Sequence, residues 1–534
     1  MKKINIYMLL LGMMFYNNLF SQETKDINNE TCKKIEGRYE VYYNNTFLNF
    51  DVFKKNNILY IQQEFDSPDE LHIVNIDSLK FKSIDNNQTF YSTFIENSNG
   101  IINKVLLKSE GFDLVAKRHI ERNIDHTFSI EQLREDFTIL LNIIEKDHVS
   151  MYDFTNKETF DSLFNAQYNK INKPMNIEEF YNIILPIIAN LGCAHSWIYR
   201  PKGFLGGENM KLLPLDVSIL NNRLYVLQNH NKNSRIKPGS EIKSIDGKPI
   251  KEILETLKAN ISADAFNESW RTLSLSNHFS YYYRIKYGEK KSFKVEYILP
   301  DKKKEKSETI DCIKKESIED NEITKKRLSL SFTENKKIAF INIDDFIFYQ
   351  DRIPFYTFID SAFKEISKAQ TKNVILDLRG NMGGDPIVAS YLLSYIEKDP
   401  VKYFEESFQN LESLADYIPL KEENKFNGNL YTLIDGGCFS TTAHLLSILK
   451  YHKIGKLIGV EAGGTFETKD GSRIAYLKNS RIKFKISRQE FATAVSSFDR
   501  NKGILPDYEV IPTIEDLLNE KDVVMNFTLK LILK

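Results

Sequence analysis

Two glycine-bearing stretches and one histidine carry the groups from which a reactive site could be built. Asp377-Leu-Arg-Gly-Asn-Met-Gly-Gly384 closes the apolar run Val374–Leu378 and precedes a predicted helix. Adjacent glycines let backbone N–H groups approach a ligand closely, and a helix N-terminus adds its positive dipole end. The amides of Gly383 or Gly384 could then hold an oxyanion developing on a peptide carbonyl. The same glycines also fit a plain strand-to-helix turn that needs positive φ. The second stretch is Tyr431-Thr-Leu-Ile-Asp-Gly-Gly-Cys-Phe-Ser-Thr-Thr-Ala-His444. An apolar strand runs into a glycine turn and then a helix, with Ser440 at or next to the N-cap. A hydroxyl there can attack a carbonyl while the Thr441 amide stabilises the oxyanion. Ser440 equally fits a simple helix cap. Cys438 is a rival nucleophile, although buried, inert cysteines are the commoner kind.

A serine nucleophile needs a base, and the chain has nine histidines. His195 ends a helical segment in Leu191-Gly-Cys-Ala-His-Ser-Trp197, just before a β region. His444 lies one turn along the helix after Ser440 and should point away from its reaction face. An unshifted imidazole would titrate near ~6.5.

These residues must be positioned by a chain of 534 residues, long enough for about three or four domains. Apolar residues at 42% and charged ones at 27% are ordinary for a globular protein and exclude global disorder. Lys and Arg number 72 against 73 acids, so no basic surplus supports binding to nucleic acid. Residues 1–21 read as a signal peptide: Lys2 and Lys3, the apolar Ile6–Phe15, and small Ser21 at the cleavage region. That apolar stretch is shorter than the ~20 residues a membrane span needs. The expectation is a periplasmic or extracellular protein without stable membrane insertion, its mature chain starting near Gln22. Cys32, Cys193, Cys312 and Cys438 show no zinc-type spacing, and no metal or organic cofactor is implied.

Residues 22–125 alternate as short strands, with Asn99-Gly100 predicting a two-residue hairpin between Thr89–Ile95 and Ile101–Leu107. Residues 126–205 turn helical, with Leu133, Phe137, Leu140, Leu141 and Ile144 on one stripe and Ser129 opening the first helix. Residues 206–300 return to strands. Their turn–strand–turn–helix order over Ile236–Leu257 resembles half of a PDZ domain, without an evident carboxylate-binding loop near Leu212–Val217. Asp301–Lys326 reads as a linker or exposed hairpin. From 330 to 534, strands Ile338–Ile343, Asn373–Leu378, Asn429–Ile434 and Lys456–Val460 alternate with helices Phe355–Gln370, Pro386–Glu397 and Thr441–Tyr451, the pattern of buried parallel strands.

The α/β half resembles the catalytic domain of the C-terminal-processing, or tail-specific, serine peptidases. Four elements occur in the family's order: Asp377–Gly384, Ser440, Ile458-Gly-Val-Glu-Ala-Gly-Gly464 and Gly503-Ile-Leu-Pro-Asp507. A helical segment ending in a histidine and a PDZ-like region precede them, so the likeness runs over about residues 128–534. Where the Ser-Lys branch carries its lysine, this chain has Thr465; the nearest lysine is Lys469. It is therefore similar to the branch of the tricorn core and the retinoid-binding-protein repeats, in which a histidine from the helical domain is the base. The resemblance implies an α+β multidomain protein: an N-terminal β module, a helical domain, a PDZ-like domain and a crotonase/ClpP-like catalytic core. It implies a secreted serine endopeptidase acting on proteins or peptides, with Ser440 as nucleophile, His195 as base and Asp499 as the acid orienting that base. Two other readings share the fold: a non-catalytic peptide- or lipid-binding protein, and a crotonase-like enzyme on acyl thioesters, which export disfavours.

Overall fold

The computed structural model describes residues 29–533 apart from 57, 64–68, 86–87, 120–125, 202–206, 208, 301 and 315–326. The expected signal peptide lies outside the described residues. Residues 1–122 and 123–534 form two compact units. Among its described residues the first carries a short helix, Asn29–Ile35, and nine strands in one sheet whose neighbours all run antiparallel. Gln88–Glu96 and Ile102–Ser109 pair as expected, but the connection is longer than two residues. The Asn97 side chain accepts from the N–H groups of Asn99 and Ile101, and this Asx turn spreads the loop over 97–101.

The second unit mixes α and β. Its central sheet places Leu328–Phe332 antiparallel to Ile338–Ile343, followed by the parallel strands Asn373–Asp377, Asn429–Ile434, Lys456–Gly459 and Tyr508–Glu509. Period-two alternation sorts the side chains. Val374 and Leu376 enter a core with the helices Ile353–Lys368, Pro386–Ile396 and Thr441–Tyr451. Ile375, Leu433 and Ile458 face the C-terminal helix Val523–Ile532. Covering both faces is what a parallel sheet requires.

Helices Ile130–Asp147, Lys157–Tyr168 and Ile177–Ala189 precede this sheet in the chain. They do not close a core alone. Their apolar faces share one with Ala475, Leu477, Ile482, Phe484 and Ile486, from the hairpin Arg473–Tyr476 and Lys483–Ile486. The short strand Trp197–Ile198 pairs with the same hairpin, and Ser196 Oγ accepts the Ser487 N–H. His195 is thus delivered to the far end of the sequence by a shared core and a strand ladder.

Between them, Leu215–Leu220, Arg223–Asn229, Glu241–Ile245, Ser292–Ile298 and Glu305–Asp311 form an antiparallel sheet. Helix Glu268–Tyr287 lies along Leu215–Leu220. Ser276 Oγ accepts the Ile219 N–H, and Ser280 Oγ donates to the carbonyls of Leu213 and Leu215. Those edge-strand groups are already satisfied within the chain.

Candidate active site

Three parallel strands end side by side, and each releases one of the glycine-bearing turns at its carboxyl end. Asn373–Asp377 leads to 378–384, Asn429–Ile434 to 435–440, and Lys456–Gly459 to 461–464. Crevices at such strand ends are where α/β sheets hold ligands.

Ser440 occupies the N-cap position of helix Thr441–Tyr451 with φ 54° and ψ −128°, and its side chain makes no capping hydrogen bond. A left-handed backbone on a non-glycine residue costs of order 1–3 kcal/mol and gathers at functional sites. The Thr441 N–H is a first-turn donor that helix geometry leaves unbonded.

Asn381 holds the two turns together. It is fully buried; its carbonyl accepts from Phe439 N–H, and its Oδ1 accepts from Gly383 N–H at 2.9 Å and Thr442 Oγ1 at 2.6 Å. Its Nδ2 donates to the Ile343 carbonyl. Asp435 Oδ1 adds a second tie, accepting the N–H groups of Gly380 and Gly437. Neither residue was given a role from the sequence. The signal was available: a polar side chain inside a glycine turn has backbone donors to satisfy.

Gly383 has φ 93°, and a Cβ there would lie 2.7 Å from the Phe439 carbonyl and 2.8 Å from Ser440 Cβ and Thr441 N. Only glycine permits that approach. Its N–H, however, is committed to Asn381. The neighbouring Gly384 bridges Phe346: Phe346 N–H donates to Gly383 O and Asp385 N–H to Phe346 O, leaving the Gly384 N–H unused by the bridge. Thr441 Oγ1 donates to Gly384 O at 2.5 Å, locking the two candidate donor residues together.

The His195 ring stacks on Phe439, the residue before Ser440, with centroids 4.8 Å apart and an angle of 23°. Its Nε2 lies 3.9 Å from Asp470 Oδ2, while its buried Nδ1 has no hydrogen-bond partner. Burial lowers the imidazole to about 4; Asp470 pulls it up and Lys485 pushes it down. Burial by itself would raise the Asp470 carboxyl, but His195, Lys485 and the Ser472 hydroxyl outweigh it and hold that group low. Asp499 is elsewhere. Its Oδ1 accepts from the backbone and side-chain N–H groups of Asn501. The acid beside His195 is Asp470, delivered by the strand Glu467–Asp470, which pairs with Gln489–Ala492.

The rivals are spent. His444 is buried against Tyr403 and Phe404, and desolvation, with a smaller push from His195, lowers it to about 3. Burial pushes the Cys438 thiol well above its ordinary range, and Sγ donates to the Leu378 carbonyl. Lys469 donates to Asp153 at 2.9 Å, and Thr465 Oγ1 donates to the Glu467 carbonyl. All four cysteines are free. Among the described residues no His/Cys/Asp/Glu group could hold a metal ion, and no helix is long and apolar enough to cross a membrane.

The model of peptidase family S41 matches residues 337–510, the span that contains the five mutually parallel strands of the central sheet and the three turns. This α/β layer belongs to peptidase family S41. The chain is a serine-type peptidase, and members of this family act on proteins or peptides. Two solved structures share the S41 fold. Mature CPAF is 12% identical with a TM-score of 0.51, over 73% of this chain and 94% of that one. Mature CPAF complexed with lactacystin is 12% identical with a TM-score of 0.53, over 75% and 97%. The sequence matches no curated protein.

Proposed function

We propose that the protein is an exported serine endopeptidase with Ser440 as nucleophile and His195 as base. The observation that carries this reading is the Ser440 backbone: strained, at a helix start, and with a side chain that caps nothing. Ser440 Oγ bonds to the scissile carbonyl carbon while its proton passes to His195. The oxyanion is held by the N–H groups of Gly384 and Thr441. The C–N bond breaks, His195 gives the proton to the leaving amine, and water then releases the acyl group by the same route. Gly383 serves by its missing side chain rather than its amide, and Asp470 takes the place expected of Asp499.

The α/β layer is read as a crotonase/ClpP-like core, preceded by a β module (22–125), a helical domain (126–205) and a PDZ-like domain (206–300). With its edge strand occupied by Ser276 and Ser280, the PDZ-like part acts as scaffold rather than as a receptor for peptide ends. The signal peptide 1–21 supports export, and no cofactor enters the mechanism.

A fluorophosphonate probe tests the reading. The wild type should be labelled covalently at Ser440, and Ser440→Ala should not. Equal labelling of both proteins, or none of either, rejects it.

A further inference from the structure

The loop carrying His195 and the turn carrying Ser440 are both tied to one short stretch far from either in sequence. Asp264 Oδ1 accepts the Ala194 N–H at 2.8 Å, and Ala265 N–H donates to the Gly192 carbonyl. A few residues on, Asn267 Nδ2 donates to the Ala462 carbonyl at 2.9 Å and Ser269 Oγ to the Glu461 carbonyl at 2.6 Å. The Trp270 ring stacks on Phe439 with centroids 5.6 Å apart and an angle of 22°. Phe439 therefore lies near-parallel to both Trp270 and His195. The indole is itself fixed, because Trp270 Nε1 donates to the Ser262 carbonyl at 2.9 Å. The fit to the nucleophile turn is close: a Cβ on Gly436 would sit 2.8 Å from the Ser269 carbonyl oxygen.

The backbone of this stretch is strained. Ala265 and Phe266 have φ of 49° and 63°, although neither is glycine. Strain of this kind persists only where surrounding contacts over-determine it. Here those contacts lead to the His195 loop on one side and to the Ser440 and 461–464 turns on the other.

We propose that residues 262–270 are the positioning element of the S41 site, with Trp270 a positioning residue that seats Phe439 and, through it, the His195 ring. The inference rests on Ser440 and His195 acting as nucleophile and base. Trp270 touches no substrate in this scheme. It sets the spacing between two groups, and a displacement of ~1 Å in such a pair costs about 100-fold in rate. Burial is also the largest influence lowering His195. Loosening the ring stack admits water and moves the imidazole back toward its ordinary value. The charged and titratable groups facing His195 are Asp470, Lys485 and His444, and none of them changes in a Trp270 variant.

The test measures the rate of fluorophosphonate labelling against pH for the full chain carrying Trp270→Ala, Trp270→Leu or Trp270→Phe. Thermal melts monitor folding. Trp270→Ala and Trp270→Leu should label about 100-fold more slowly, with the acid limb displaced upward. Trp270→Phe, which keeps a flat ring, should regain most of the rate and the wild-type limb. Leucine preserves apolar volume, so it answers the question should the alanine variant fail to fold. Slow labelling with an unmoved acid limb, or equal impairment by Leu and Phe, overturns the inference by reducing Trp270 to a packing residue. Wild-type rates in the Leu variant overturn it as well. Absence of labelling in the wild type is a separate outcome, because it removes the serine mechanism and with it the basis of this proposal.

Discussion

Two serines stand at helix starts in this molecule, and they use the position in opposite ways. Ser129 opens helix Ile130–Asp147 with extended backbone, φ −69° and ψ 162°, and closes a capping box with Gln132. Ser440 opens helix Thr441–Tyr451 with φ 54° and no capping bond. The first spends its hydroxyl on an orphan N–H of its own helix. The second withholds it, leaving both the hydroxyl and the Thr441 N–H for something outside the helix. Residue type and position are therefore poor guides to role; the backbone torsion decides what the side chain is free to do.

The largest effect expected from this contrast is that of Ser440→Ala. Peptide cleavage should fall by roughly 10⁴ or more, because neither water nor the oxyanion donors replace the covalent route. The melting temperature should hardly move, since no cap is lost. Casein hydrolysis and a thermal melt of each protein check this, and equal proteolysis would place Ser440 with Ser129 after all.

Next comes the base. His195→Ala should lose about 10³-fold or more per folded molecule, whereas Lys469→Ala should lose some stability, leaving Asp153 with Arg500 as its remaining ion-pair partner, but little activity per folded molecule. The reverse ranking would make this a Ser-Lys enzyme.

A smaller effect sharpens the same point through pH. His195 must be neutral to accept the serine proton, and its folded value is depressed to about 4. Activity should therefore persist below the ordinary imidazole range near ~6.5 and be lost only as pH falls through that depressed value. Lys485→Met removes a charge that lowers His195 and should raise the limb. Asp470→Asn removes one that raises it and should lower the limb further. A wild-type limb at the ordinary imidazole value would mean that the ring is hydrated in solution. The smallest effect belongs to Ser129→Ala: about 1 kcal/mol of stability lost in denaturant titration, with turnover unchanged.

Much of this was legible in the residues. The turns at Asp377–Gly384 and 435–440 could be placed because each follows an apolar strand and precedes a helix, and helix Thr441–Tyr451 has the expected bounds. The acid was not legible. Asp470 meets His195 because Glu467–Asp470 pairs with Gln489–Ala492 and Trp197–Ile198 pairs with Lys483–Ile486, and such long-range registers leave no trace in local spacing. The division between Gly383 and Gly384 was hidden for a related reason. Both are glycines in one turn, and only the Asn381 side chain, reaching back two residues, distinguishes their amides.

The core shared by the helices 130–189 and the hairpin 473–486 has a consequence for the order of events in the cell. A ribosome releases the helices, with His195 just behind them, long before it makes the strands that cover their apolar face. Until the C-terminal segments arrive, that face has no partner and His195 has neither Phe439 nor Asp470 beside it. On the mechanism proposed above, the base is seated only once these segments are in place.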